Sequence, residues 1–274
     1  MELKTVKKQF NEILKNSGVC DAENNVNKIL MHVLNINKAT LLITNYISAK
    51  NFKKAKKLVL KRAKHFPLQY LLKQVQFCSN TIFVNKNVLI PRNETEQLCE
   101  MVFKTAENKT VLDLCSGSGC LGLGIKRNAN ADVTLSDVSK KALRIAKKNA
   151  KLNGLEVKFV KSNLFENIIG KFDIIVSNPP YIKTDDLKKL QVEVGFEPVL
   201  ALDGHDDGLF FYKKIIDEAP RFLNDFGEIY FEIGLGQDKT ITKLLSKHFD
   251  CIKIIKDYYN KNRFIYAKLK EKVC

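Results

Sequence analysis

The sequence has no stretch of eighteen uninterrupted apolar residues, so no membrane-spanning helix is expected. Its opening, MELKTVKKQF, lacks both an apolar run and a small-residue cleavage site, and no secretory leader is expected. Histidine is scarce at four residues, and the cysteines at 20, 78, 99, 115, 120, 251 and 274 show no zinc-ligand spacing, so no metal site is expected. Seven cysteines, an odd number, are read most simply as reduced thiols in a cytoplasm. There is no GK[ST] signature, hence no phosphate-cradling loop, and there are no internal repeats or low-complexity tracts. Acidic residues are thin at the start: residues 1–75 hold 15 Lys and Arg against 4 Asp and Glu. The run 50–66 has eight basic residues and no acid. Such a surface could meet RNA, a ribonucleoprotein or an acidic protein, or be a solvated helix face. Lysines dominate and no aromatic platform interleaves them, which makes the signal for direct nucleic-acid binding weak.

What is present suits a folded chain of 274 residues, 45% apolar and 28% charged, long enough for one large core and a smaller domain. Up to about residue 74, apolar residues recur at three and four: Val6, Phe10, Ile13 and Leu14, then Val26, Ile29, Leu30 and Val33, then Phe52, Ala55, Leu58, Val59 and Ala63. The spacing predicts a small helical bundle, with Asp21 placed to cap its second helix and Pro67 ending it. Residues 77–90 read as a β-hairpin around Asn85-Lys86-Asn87. From a helix at 94–105 onward, strands at 110–115, 131–137, 156–162, 172–178 and 227–234 alternate with helices at 119–128, 139–152, 207–223 and 237–249. Two closing strands, 251–258 and 262–270, have no helix between them and should pair antiparallel. The domains expected are a helical bundle over 1–75, a hairpin linker over 76–90, and an α/β domain over 91–274 with a seven-stranded, mostly parallel, Rossmann-like sheet.

Three stretches carry chemistry. LDLCSGSGCLGL (112–123) is a strand, a small-residue turn and a helix; Gly117 and Gly119 permit close backbone approach, and the helix N-terminus offers free N–H groups. Asp113 at the strand end would repel a pyrophosphate and attract a cationic amino group. The next strand ends at Asp137, whose carboxylate can accept both hydroxyls of a ribose. Asp137 or Ser139 could instead cap the following helix. Together these features point to S-adenosyl-L-methionine. In NPPY (178–181) the prolines stiffen the chain, and the Asn178 carboxamide oxygen with the Pro179 carbonyl makes two acceptors for a planar –NH2 group. Tyr181 could stack on it. Methyl transfer to such a nitrogen needs positioning above all, and no strong base.

NPPY on this framework resembles the methyltransferases that act on amino groups of adenine, of cytosine, or of a protein glutamine. PLQYLLKQVQF (67–77), VLIPRNETE (88–96), FEPVLALDGHDDGL (196–209) and YFEIGLGQ (230–237) resemble the HemK/PrmC family, essentially over the whole chain. The resemblance implies a class I, S-adenosyl-L-methionine-dependent enzyme that methylates N5 of the glutamine in the Gly-Gly-Gln motif of peptide chain release factors and releases S-adenosyl-L-homocysteine. It assigns Cys115, Ser116, Gly117, Ser118 and Gly119 to the methionine part of the cofactor, Asp137 to the ribose, and Asn163 and Leu164 to the adenine. Asn178, Pro179, Pro180 and Tyr181 are assigned to the glutamine amide, and Glu197 and Pro198 to the substrate mouth. The chain departs from the family at Asn163 (usually Asp), Cys115 (usually Gly, so positive φ is not expected there), Asn93 (commonly Pro) and His205 (commonly Gly), read as a surface loop residue. A monomeric, cytoplasmic enzyme is expected, with the helical domain docking the release factor through lysines such as Lys53, Lys54 and Lys57. The rival readings are an adenine-N6 or cytosine-N4 methyltransferase of nucleic acid and a non-catalytic RNA- or ribosome-binding protein. Intact Asp113, Asp137 and Asn178 disfavour the latter.

Overall fold

The computed structural model describes residues 1–271; the last three residues of the expected 91–274 domain, Cys274 among them, lie outside the described residues. The chain divides into two compact units: Met1–Lys73 with Gln191–Phe196, and Gln74–Leu190 with the chain from Glu197 onward.

In the first unit, the three-and-four spacing forms α1 (Leu3–Asn16), α2 (Ala22–Leu34) and α4 (Ala49–Arg62), with short α3 (Lys38–Ile43) and α5 (Leu68–Leu72). Val6, Phe10, Leu14, Val26, Ile29 and Val59 are all fully buried, each worth roughly 1.5–3 kcal/mol of hydrophobic stabilisation. Phe10 stacks on Phe52 at 5.5 Å between centroids. Pro67 does not end the bundle: its fixed φ precedes α5. Asp21 does not cap α2. It takes a left-handed backbone, φ 52°, unlike the extended conformation of a capping residue, and its carboxylate accepts from Asn24 Nδ2. The buried Arg62 donates to Asn25 Oδ1 at 2.8 Å and pairs with Glu193 at 3.1 Å.

The second unit opens with a hairpin, β1 (Gln74–Phe77) and β2 (Asn80–Phe83). This corrects the register expected from 77–90. The turn is Cys78-Ser79, both at positive φ (42° and 62°), as a tight two-residue hairpin with right-handed strands demands. Asn85–Val88 makes a separate turn within irregular chain. There follow α6 (Asn93–Phe103), β3 (Thr110–Leu114), α7 (Cys120–Asn128), β4 (Asp132–Asp137), α8 (Lys140–Asn153), β5 (Lys158–Lys161) and β6 (Phe172–Ser177). Then come α9 (Phe210–Glu218), β7 (Leu223–Glu232), α10 (Asp238–Leu245), β8 (Phe249–Lys256) and β9 (Asn262–Leu269). Pro220 confines α9 to nine residues, short of the expected 207–223, and a 3-10 turn over Ala219–Arg221 completes the segment.

The seven-stranded sheet runs β5-β4-β3-β6-β7-β9-β8. Its first five strands pair in parallel, and β9 is antiparallel to both β7 and β8, so the sheet is mixed. Strand order reverses between β3 and β6, and at such a switch point the carboxyl ends of the strands open a crevice. Among the described residues no helix is long and apolar enough to cross a membrane.

Candidate active site

A cavity of about 720 Å³ lies at the carboxyl ends of β3, β4 and β6, within the size range of small-molecule sites. Of the residues singled out from sequence, Cys115, Gly117, Asp137, Asn163, Leu164, Asn178 and Pro180 line it. Asp113, Ser116, Ser118, Gly119, Pro179 and Tyr181 do not, and stand behind or beside the lining. Phe210, Phe211 and His205 also line it. The His205 and Phe210 rings are 4.2 Å apart. His205 is exposed, as expected of a surface loop residue, while also lining the cavity; nothing in the sequence marks out the two phenylalanines.

The turn after β3 is held by Asp137. Its Oδ2 accepts from the Gly117 N–H at 2.8 Å and its Oδ1 from the Ser139 N–H at 2.7 Å. Each oxygen keeps a lone pair for a ligand hydroxyl. Burial raises the Asp137 pKa, and these two N–H groups oppose the rise. Capping of α8 falls to Ser139, whose Oγ accepts from the Ala142 N–H at 3.2 Å. Cys115 has φ 60°, contrary to expectation: the turn demands a left-handed residue there, which glycine adopts freely and cysteine only with strain. Burial also pushes its thiol far up. The Asp113 carboxyl is fully buried and accepts from the Gly122 N–H at 2.9 Å, inside the start of α7. Burial raises it to about 8, against that hydrogen bond and with help from Asp137. The Ser116 Oγ is buried with no partner. Asn163 is exposed and donates to Glu166 at 2.6 Å.

Asn178 follows β6 directly. Its Nδ2 donates to Thr95 Oγ at 3.2 Å. The Thr95 hydroxyl donates to Glu232 Oε2 at 2.7 Å, and the Tyr181 hydroxyl to Glu232 Oε1 at 3.3 Å. Burial raises the Glu232 pKa, opposed chiefly by the Thr95 hydrogen bond. The turn itself is clamped from behind, because the Tyr181 carbonyl accepts from Gln237 Nε2 at 3.0 Å. Gly208 and Gly204 press against it so closely that a Cβ would stand 2.5 Å from the Tyr181 carbonyl oxygen and 2.8 Å from its Cα. This explains physically why NPPY, LDGHDDG and YFEIGLGQ occur together. Glu197, assigned to the substrate mouth, is buried; it accepts from the Ile90 N–H at 2.9 Å and pairs with Arg92. Its neighbour Pro198 lines the cavity. Among the described residues no cluster of His, Cys, Asp and Glu could hold a metal.

Residues 6–72 match the PrmC N-terminal domain, and residues 92–194 the methyltransferase small domain. Among solved structures, the fold resembles a methyltransferase from Pyrococcus furiosus (TM-score 0.53, 20% identity, 69% of this chain and 88% of that one). It also resembles a 16S rRNA N2 G1207 methyltransferase from T. thermophilus (TM-score 0.53, 18% identity, 72% and 50%). The release factor glutamine methyltransferase of Fusobacterium nucleatum is 37% identical, over 97% of this chain and 82% of its own. That of Thermodesulfovibrio yellowstonii is 40% identical, over 84% of this chain and 86% of its own. With relatives this similar along nearly its whole length, the chain belongs to the release factor glutamine methyltransferase family.

Proposed function

We propose that the protein transfers a methyl group from S-adenosyl-L-methionine to the side-chain N5 of the glutamine in the Gly-Gly-Gln motif of peptide chain release factors. The observation that carries this reading is the Asn178 carboxamide, which lines the cavity with its nitrogen engaged by Thr95 and its oxygen left as an acceptor. The cavity fits the cofactor. Asp137 offers one lone pair per oxygen to the ribose hydroxyls, and Asn163 and Leu164, which the family resemblance assigns to the adenine, line the same cavity. Asp113 acts through the start of α7, supporting the turn from behind.

The cofactor supplies an electrophilic methyl group on a sulfonium sulfur. The protein's task is to present the amide nitrogen, a poor nucleophile because its lone pair is delocalised. Asn178 Oδ1 and the Pro179 carbonyl each accept one N–H of the substrate amide, which fixes its plane. Pro180 walls the site, with Tyr181 standing behind it, and together they keep water out. As positive charge grows on the nitrogen, its N–H groups become stronger donors, so the two acceptors stabilise the transition state more than the ground state. The proton leaves to solvent after transfer. One copy of the chain holds every residue used here, which supports a monomeric class I enzyme, and the substrate class supports action in the cytoplasm.

The helical unit is the proposed dock. Lys53, Lys56, Lys57 and Lys61 on α4 line one shallow surface together with Lys64 just beyond the helix, and Leu42, Ile43 and Tyr46 are exposed at 75%, 78% and 74%. Charge and apolar area of this kind suit a protein surface. The test is an endpoint reaction with intact release factors and a DNA and RNA pool, with the methyl group located by mass spectrometry. A single methyl on the Gly-Gly-Gln glutamine is expected; methylated nucleic acid beside unmodified release factor would overturn the reading in favour of a base methyltransferase.

A further inference from the structure

We propose that Thr95 and Glu232 are positioning residues that fix which end of the Asn178 carboxamide faces the substrate. The inference rests on the reading of Asn178 as the clamp on a glutamine amide. An asparagine carboxamide is nearly symmetric in shape, and a half-turn about its last torsion exchanges oxygen for –NH2. Only one of the two states serves methyl transfer. With the oxygen toward the substrate, acceptor meets donor; with the –NH2 toward it, donor meets donor and the amide is repelled.

The neighbouring groups decide between the states. An ionised Glu232 can only accept hydrogen bonds. The Thr95 hydroxyl has a single proton and commits it to Glu232 at 2.7 Å, so toward Asn178 it can show only lone pairs. A lone pair is satisfied by an N–H, and Asn178 Nδ2 donates to it at 3.2 Å. The flipped carboxamide would set oxygen against oxygen with no proton between them. Thr95 is 4% exposed and Glu232 2%, so water does not stand in for either partner, and such a mismatch is not relieved by solvation. The chain of donors also polarises the carboxamide, making its oxygen a better acceptor as charge develops on the substrate nitrogen.

The same carboxylate also holds the ring of the NPPY turn, since its other oxygen accepts from the Tyr181 hydroxyl at 3.3 Å. The remaining groups around Glu232 are consistent with this role. Burial works against its ionised form and so does Glu94 on α6, while the Thr95 and Tyr181 hydroxyls and Arg263 on β9 favour it. The Tyr212 hydroxyl of α9 donates to its main-chain carbonyl at 2.7 Å and leaves the carboxylate free for its two hydroxyl partners. Neither Thr95 nor Glu232 lines the cavity, which is why they act through Asn178 and Tyr181 and not on the substrate.

The experiment compares Thr95→Val, which keeps the shape and removes the hydroxyl, with Thr95→Ser, which restores it, on intact release factor. Thr95→Val should lower kcat by about 10- to 100-fold, the scale of a misplaced reacting group, with the KM for release factor and the cofactor Kd within about threefold. Thr95→Ser should stay within about threefold of the parent on all three. A Thr95→Val enzyme with parental kcat, or a kcat loss that Thr95→Ser shares in full, would overturn the proposal. If Thr95→Val fails to fold or to bind cofactor, Glu232→Leu, which removes the acceptor that takes the Thr95 proton, decides on the same three quantities: a fall in kcat alone supports the relay, and an unchanged kcat overturns it. Asn178→Ala run in parallel separates the two readings. If it retains parental kcat, the clamp itself is wrong; if it is inactive while Thr95→Val is fully active, only the relay is wrong.

Discussion

The two units solve opposite problems with buried polar groups. In the helical unit the interior is almost wholly apolar, and the polar side chains buried there, Asn25 and Arg62, satisfy each other at 2.8 Å. In the α/β unit, Asp113, Ser116, Thr95, Glu197 and Glu232 are all buried, and Thr95 and Glu232 lie one and two hydrogen bonds from Asn178 on the cavity wall. Buried charge is costly and does little for stability unless fully partnered. Its concentration in one unit marks where chemistry is organised, while the other unit displays its charge outward as a lysine face.

That contrast can be broken deliberately. The largest effect expected is on the helical core: Phe10→Ala removes a fully buried ring stacked on Phe52 and should cost about 3–5 kcal/mol. Calorimetry should show that loss in the helical unit, with cofactor affinity measured by titration unchanged; a parallel loss of cofactor binding would erase the contrast. Next is Asp137→Ala, which strips the acceptor from two backbone N–H groups as well as from the ligand. It should weaken cofactor binding by about 2–3 kcal/mol, the scale of lost hydrogen bonds to a charged group, while the melting temperature of the helical unit stays put.

A smaller effect should appear in the pH dependence of stability. Burial pushes the Asp113 carboxyl up to about 8 in the folded chain, far above the usual carboxylate range, so the folded state holds a proton that the unfolded state releases. Stability from this group is full at low pH and declines as pH rises from about 4 to about 8. Asp113→Asn keeps an acceptor for the Gly122 N–H and cannot ionise, so the melting temperature of the cofactor-free protein should fall by several degrees less across that window than in the parent. Equal slopes would show that Asp113 is already ionised. The smallest effect is expected from the lysine face. Reversing Lys53, Lys54 and Lys57 to Glu should lower kcat/KM on intact release factor several-fold at low salt, less at high salt, and leave a short Gly-Gly-Gln peptide unaffected. Full activity on the intact factor would remove the patch from the dock.

How much of this was legible in the sequence depended on whether a residue's role is local. The helical bundle and the strand–helix alternation are local patterns, and both appear in the fold. Asp137 and Asn178 were legible because one ends β4 and the other follows β6 directly, and strand ends meet at the switch point whatever the rest of the chain does. Thr95 and Glu232 were not, since they reach Asn178 only because β7 pairs with β6 and α6 lies beside β7. Asp113 stands behind the cavity lining, a place that strand-end position does not reveal. Its place at a strand end suggests a ligand for a cationic group, and the start of α7 lies close enough for the Gly122 N–H to donate to its Oδ2. Cys115 and the Cys78-Ser79 turn were misjudged for a shared reason: both demand positive φ from residues that sequence reasoning does not associate with it.

The most direct test of the central claim is the single-turnover rate of methyl transfer to release factor by Asn178→Ala, with cofactor saturating and its affinity measured alongside. The account predicts a rate lowered by about 100-fold or more, as expected for a lost transition-state acceptor, with cofactor affinity unchanged. A parental rate would contradict it and remove the Asn178 carboxamide from the reaction.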